Sequence, residues 1–549
     1  MSTLGGTGVM TSMSRLNFDV LFLVCGFLTA VPDVIAFSLT CSTLRPAAVH
    51  RRLSMRPVTI VDQGSINNLY DFVFVDKAVR GPHIRAIAIP EKAAQLLTGL
   101  PEELLHRLLA ILSAATHVRT MSLYLPLQPS SLLANPLIIP AVARLTGIRS
   151  LSLVASSERA NALLRCIRSP IKTFRYESLH RDIAALHNWS FIMPSSRHSM
   201  IQSYRAMRHQ VNEELALEDV ARHLGSTLRE LELPHSYLPR RGFDSSQSHS
   251  VLFKFLAVRS FALRDVAEPV RLDMLLHMLP NLDNTLILKT SVDLYRRAWD
   301  RERVEVTRED NLLAQERHGW KRLERVVSSP LFFFTLGLTC PIRHLDLDLS
   351  PDEGSPSSDV LDTIAQHARC TILRDPTPTH LTIRGLCFPG GLAHLDDLFS
   401  ADGALAGTTH LVVAAEYDSV VDGKLVWPED VLETLLTRVE HFGLTHVRIV
   451  ASGLISDADP FASSIHHGIR DLSLDRLAVQ FQDAVHSLSY IFLTARGVVL
   501  KDGKEVQEVW DVSKAWRVLS AAASVGGDLQ ELSVDDAEAA LDREDMQTI

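Results

Sequence analysis

Eight basic residues recur at one place in a short repeated pattern: Arg85, Arg119, Arg149, Lys172, Arg229, Arg259, Arg343 and Arg470. Each stands second in a hexad that runs apolar, basic, any, apolar, any, apolar, as in Leu228-Arg229-Glu230-Leu231-Glu232-Leu233. Alternation of this kind predicts a short strand with one buried face. Strands stacked in register would align the basic residues in a column on an exposed face. Guanidinium forks pair with carboxylate and phosphate, so the chemistry on offer is recognition of an acidic or phosphorylated segment. Glu230, Glu232, Asp346, Asp348, Asp471 and Asp475 lie close enough in sequence to neutralise the column instead, and that is the simpler reading. The substrate-face candidates are Arg229, Glu230, Glu232, Arg259, Arg343, His344, Asp346, Arg470 and Asp471.

Other residue types that could do chemistry are present without the spacing it needs. The six cysteines (Cys25, Cys41, Cys166, Cys340, Cys370, Cys387) include no Cys-x-x-Cys pair, which fits reduced thiols rather than zinc or disulfides. Gly5-Gly6-Thr7-Gly8 lies in a Gly/Ser/Thr-rich head, not between strand and helix, so it is not a phosphate cradle. His466 and His467 are adjacent, and neighbours on a loop rarely share a metal. Asp346, Asp348, Asp352 and Glu353 lack the alternation and closing Glu of a calcium loop. With no nucleophile elbow, phosphate loop or zinc-protease helix either, no enzyme, metal or cofactor is expected.

The hexads themselves organise the chain. They begin at Ile84, Val118, Ile148, Ile171, Leu228, Val258, Ile342, Ile469 and Leu529, with weaker copies, His in third place, ending at Ile383, Val413 and Ile449. Thr285 to Leu288 is a degenerate strand in the long gap. Helical patterns fill the intervals at Glu91–Leu112, Glu213–Leu224, Leu272–Leu279, Asp359–Ala368 and Glu429–Phe442. A strand and a helix recurring every 20–35 residues or so predict a solenoid. The hexads resemble the strand of leucine-rich repeats, without the turn Asn in most copies. An ordinary α/β domain is the alternative.

Ahead of the hexads, residues 16–45 form an unusually apolar stretch. Val20 to Leu28 would make a helix apolar all round, which needs cover that a unit of about 40 residues cannot supply alone. Leu16-Asn17-Phe18-Asp19-Val20-Leu21, then Val24, Phe27 and Leu28, then Asp33-Val34-Ile35 and Phe37 to Cys41, ending at Leu44-Arg45, resemble the F-box. Asn17, Asp19 and Leu44 stand where that family has Pro, Glu and an aromatic. The ending Leu39 to Arg45 resembles the variant common in mushroom-forming fungi. The resemblance implies docking onto a Skp-type adaptor and, through it, a cullin of a ubiquitin ligase. The implied contacts are Leu16, Phe18, Val20, Leu21, Val24, Phe27, Leu28, Val34, Ile35, Leu39, Cys41 and Leu44. A rival reading, that these helices merely cap a protein-binding solenoid, needs no ligase. A signal or membrane segment is disfavoured by Asp19 and by Pro32-Asp33 in mid-span.

The expected architecture is therefore α/β: a head at 1–13, an F-box-like three-helix unit at 14–56, a degenerate leucine-rich-repeat-like solenoid at 57–534 with parallel strands on one face and helices on the other, and an acidic tail at 535–549. Residues 291–330, dense in Arg, Lys and acids, read as a charged insertion, and 350–358 as an exposed loop. With 549 residues, 46% hydrophobic and 22% charged, the chain can bury a large core. A net charge of −9 gives no global attraction to nucleic acid or anionic membrane. The expected partners are a Skp-type adaptor and an unidentified protein substrate, in the cytoplasm or nucleus.

Overall fold

In the computed structural model, the described residues are 18–40, 42–75, 80–97, 101–126, 131–178, 217–234, 253–266, 269–290, 301–349, 366–370, 377–385, 391–399, 407–418, 428–440, 442–456, 467–501, 505–519 and 528–546. The head at 1–13 and the loop at 350–358 lie outside them. The chain divides into two compact units, Met1–Leu228 and Arg229–Ile549. Both are α/β.

The first unit opens with three helices, α1 (Phe18–Phe27), α2 (Val31–Thr40) and α3 (Arg45–Met55). Cys25, Val34 and Ala48 form their small core, flanked by Leu28, Phe37, Ala47 and Met55. Arg51 ties α3 back by donating twice to the Leu28 carbonyl, at 2.9 and 3.1 Å. Five strands follow: β1 (Val58–Thr59), β2 (Ala86–Ile89), β3 (Thr120–Leu125), β4 (Ser150–Ala155) and β5 (Thr173–Ser178). Each pairs in parallel with the next. The connections carry α4 (Gln63–Phe74), α5 (Glu91–Leu96), α6 (Glu102–Ala114), α7 (Ile138–Ala143) and α8 (Ser157–Cys166), and α9 (Leu217–Leu224) follows β5. An Asp62–Ser65 capping box starts α4. Period-two alternation buries Ile87 and Ile89, Met121 and Leu123, Leu151 and Leu153, and Phe174 and Tyr176.

The second unit repeats the plan. Nine successive parallel neighbours run β6 (Glu230–Pro234), β7 (Ser260–Val266), β8 (Thr285–Thr290), β9 (Leu323–Ser328), β10 (Ile342–Asp348), β11 (His380–Arg384), β12 (His410–Asp418), β13 (His446–Ser456) and β14 (Tyr490–Lys501). Two antiparallel strands, β15 (Glu505–Leu519) and β16 (Asp528–Glu531), end the series. Between the strands lie α10 (Leu272–Met278), α11 (Arg301–Arg317), α12 (Pro330–Leu336), α13 (Gly391–Phe399), α14 (Pro428–Val439) and α15 (Leu474–Ala484), and α16 (Val534–Arg543) closes the unit. Pro330 opens α12, and Gly337 ends it at φ 55°, a conformation that favours glycine.

Several expectations change here. The described part of the charged segment 291–330 is no insertion: α11 and β9 are one more helix and strand of the series, holding Val304, Asn311 and Leu323 in the core. The high charge belongs to the outer face of α11, and the inner positions set its packing. Ile469 to Leu474 is not a strand but the approach to α15, whose first turn is capped by Ser473. The final hexad, near Leu529, is strand, but antiparallel. The acidic tail is largely α16, with Ser533 as its cap and Ala540 and Met546 buried against Phe492 and Ala515.

Candidate functional site

On the N-terminal helices, the apolar side chains split into two sets. Val34 and Leu44 are buried, and Leu21 and Leu28 are half-buried, so they hold the three-helix unit together. Val20, Val24, Phe27, Ile35 and Leu39 face water, Phe27 and Leu39 at about 80% exposure. Phe22 and Leu23, absent from the expected contact set, are exposed as well. Leu16, Cys41 and the side chain of Phe18 lie outside the described residues. The arrangement is an uncovered apolar face, on helices too short to cross a bilayer.

In the second unit four histidines stand in register on adjacent strands, His344 third in β10 and His380, His410 and His446 first in β11, β12 and β13, with Tyr490 next. Their rings stack at centroid distances of 4.1, 4.0 and 4.2 Å, and Tyr490 follows at 5.1 Å. A hydroxyl precedes three of them. The Oγ1 of Thr379, Thr409 and Thr445 lies 3.0, 2.8 and 2.8 Å from Nδ1 of the following histidine. The other ring edge meets the end of α16. His380 Nε2 is 3.2 Å from the Glu544 carbonyl, and His410 Nε2 is 3.4 Å from Glu544 Oε2. His344 Nε2 is 3.2 Å from the Asp545 carboxylate.

The protons follow from these partners. Glu544 offers only acceptors, so His380 and His410 carry the proton on Nε2 and accept from the threonine hydroxyl at Nδ1. Burial pushes the pKa of His380 down to about 3 and that of His446 to about 4, in each case helped by a neighbouring histidine. His344 and His410 are lowered by burial too, against the raising pull of Asp545 and Glu544. The stack is therefore neutral at pH 7. His410, His446 and Glu544 are chemically a metal-ligand set, as are Glu324, His344 and Asp545. In the first set, however, the two rings are 7° from parallel, so their Nε2 atoms point side by side rather than at one centre. The geometry is that of a strap holding α16 to the sheet. Its sequence signal was the His in third place of three weak hexads, together with His344; the partner Glu544, 134 residues beyond His410 and 164 beyond His380, had no such signal.

The expected basic column divides between the units. In the second, Arg259 pairs with Asp283 at 2.8 Å and Arg343 with Glu324 at 2.6 Å. Buried Asp346 pairs with Arg325, and Glu232 with Arg264. Arg229 is exposed, as is Glu230. Arg470 and Asp471 leave the column, because Arg470 ends a helical turn at 467–470 and Asp471 follows it; Arg470 pairs with Glu508 at 3.1 Å. In the first unit, Arg85, Arg119, Arg149 and Lys172 remain together, each one residue before a registered strand or strand pair position.

Compared with known proteins, the chain matches no family model and no curated protein.

Proposed function

We propose that the chain is a substrate-recognition adaptor of a Skp–cullin–F-box ubiquitin ligase. The observation that carries this reading is the apolar side of α1 formed by Val20, Leu23, Val24 and Phe27, open to water on a compact three-helix unit where Phe22 and Leu39 are exposed as well. Covering each such side chain contributes roughly 1.5–3 kcal/mol, enough for a specific complex after the cost of association. The strands and helices beyond would act as a leucine-rich-repeat-like solenoid that holds a protein substrate. The chain itself would catalyse nothing, and partner subunits would carry the ubiquitin chemistry by proximity. The setting would be cytoplasmic or nuclear.

Co-expression with a Skp-type adaptor, followed by size-exclusion chromatography, tests this. The native chain should co-elute with the adaptor, and Val20→Asp/Val24→Asp should abolish co-elution. A native chain that elutes alone and monodisperse sinks the proposal.

One contact favours a second reading, in which the helices cap a protein-binding scaffold with no ligase link. The α3 helix packs on the turn Gly81–His83, with the His50 and His83 rings 4.3 Å apart. A cap accounts for α3 but leaves the exposed face of α1 without a purpose. Deleting residues 14–56 separates the readings: a cap's removal should expose core and aggregate the rest, whereas an adaptor's docking unit should leave it soluble.

A further inference from the structure

Along the edge where its strands begin, the first unit carries cations and no acids in the turns that lead into β2, β3, β4 and β5. The turns leading into β2, β3, β4 and β5 are residues 80–85, 115–119, 144–149 and 167–172. They hold Arg80, Arg85, Arg119, Arg144, Arg149, Arg168 and Lys172, with His83 and His117, and not one Asp or Glu. Arg119, Arg144, Arg149, Arg168 and Lys172 are exposed. The backbone repeats at each level: Arg119 N donates to the Arg85 carbonyl at 2.7 Å, Arg149 N to Arg119 at 2.7 Å and Lys172 N to Arg149 at 2.6 Å. Neighbouring strands lie about 4.8 Å apart, so the four column residues span roughly 14 Å.

Helix ends explain part of this. The helices α6, α7 and α8 finish just before these turns, and their carbonyl ends favour a nearby cation. That accounts for single cations, not for the absence of acids. Where the second unit places Arg259, one step before β7, and Arg343, at the aligned ladder level in β10, it supplies Asp283 and Glu324 beside them. The first unit supplies no acid to Arg119, Arg149 or Lys172 among the described residues. Like charges held one strand apart repel, and an anion laid along them relieves that repulsion.

We propose that this edge of the first unit binds an extended anionic polypeptide segment, acidic or phosphorylated, about four residues of which lie against Arg85, Arg119, Arg149 and Lys172. Arginine outnumbers lysine on the edge, and its planar fork takes carboxylate and phosphate bidentately. Single-stranded nucleic acid would need aromatic platforms, and the four turns contain no Phe, Tyr or Trp. A polyanion much longer than the edge, or an anionic membrane, would meet the repulsion of a chain whose net charge is −9. The proposal stands whether or not the N-terminal helices dock a ligase.

Fluorescence anisotropy on the full-length chain at low ionic strength tests it. The probes are a labelled hexaglutamate peptide, a phosphoserine peptide of equal length, oligothymidylate and phosphatidylserine vesicles. At least one peptide should bind, and the relative affinities of the two show whether carboxylate or phosphate is the preferred source of charge. Arg119→Glu/Arg149→Glu should weaken that binding by an order of magnitude or more, as charge reversal at a complementary surface does. Arg259→Glu/Arg343→Glu, which reverses cations already paired, should leave it within about twofold. If circular dichroism shows the first double variant unfolded, Arg119→Gln/Arg149→Gln replaces it, with weakening still expected. Peptide binding that is absent, or equally affected by both double variants, overturns the proposal. Selective release of oligothymidylate or vesicles by Arg119→Glu/Arg149→Glu, with both peptides ignored, overturns the choice of ligand.

Discussion

The two units put different side chains on the same backbone ladder. One step before its strands, the first unit has Arg85, Arg119, Arg149 and Lys172 in succession. At the aligned ladder level the second unit has Arg229, Arg259 and Asn284 before their strands, Glu324 and Arg343 as second residues of β9 and β10, then Thr379, Thr409, Thr445 and Ser489. A parallel ladder aligns equivalent positions whatever they hold, so repulsion between like charges must be met level by level. The second unit meets it twice over, first with acids and then with hydroxyls that serve a neutral histidine stack. Among the described residues, the first unit supplies no acid to Arg119, Arg149 or Lys172. The comparison teaches that a repeated sequence position has no fixed role: its chemistry is set by the positions stacked above and below.

Breaking the neutralised side should have the largest effect where the pair is buried. Asp346 is 3% exposed and takes the guanidinium of Arg325, with Arg384 at 3.8 Å. Asp346→Ala leaves those cations without their carboxylate and should cost about 3 kcal/mol in urea unfolding. Arg343→Ala removes a pair whose partners are both substantially exposed and should cost within about 1 kcal/mol. Equal costs would mean that burial is not what distinguishes the two pairs.

Next in size is the strap. Glu544→Ala removes an acceptor from His410 and should cost about 1–2 kcal/mol, read as faster hydrogen exchange in α16. Unchanged exchange there would show that Ala540 and Met546 hold the helix alone.

The stack also makes stability depend on pH, in a direction fixed by its pKa values. His380 and His446 are held down to about 3 and about 4, whereas an unfolded histidine titrates near 6.5. As pH falls below 6.5, the unfolded chain binds protons that the folded stack refuses, so folding weakens until the folded pKa values are reached. Arg343 and Arg543 oppose protonation of the stack, while Glu544, Asp545 and Glu324 favour it. The melting temperature should therefore drop between pH 6.5 and about 4, and His380→Gln/His446→Gln should flatten that slope. A slope unchanged by the double substitution would place the titration elsewhere.

What was legible in the sequence follows from which forces are local. The hexads located β2, β3, β4, β5, β6, β7, β8 and β10 through β13, because burial of one strand face writes itself as alternation. Strand β9 went unread because Glu324 and Arg325 gave its segment the look of a solvated insertion, although Leu323 and Val326 are buried. The Arg470 hexad misled for the opposite reason: its apolar spacing belongs to the entry of α15. The apolar surplus of residues 18–28 was legible, but which of its side chains the three-helix core would take was not. Val34 and Leu44 went inward, while Phe27 and Leu39 stayed out. The Glu544 strap depends on residues far apart in sequence, and no local pattern records it.

The smallest effect sharpens the comparison most, because it converts one unit's pattern into the other's. In the second unit Glu324 stands between Asn284 and Arg343 and neutralises the column at that level. Arg149→Glu would place an acid at the corresponding step of the first unit, between Arg119 and Lys172. If repulsion along the cationic edge is real, this exposed substitution should raise stability by roughly 0.2–1 kcal/mol. Added salt should erase the gain, since exposed charges about 5 Å apart are screened at high ionic strength. The mirror change, Glu324→Arg, should lower stability by a similar amount and lose that difference in salt as well. Thermal melts of both variants at low and high salt decide the matter. A loss of stability in Arg149→Glu would mean that the helix carbonyl ends, rather than the neighbouring cations, dominate the field at that edge, and that the first unit is already balanced without a ligand.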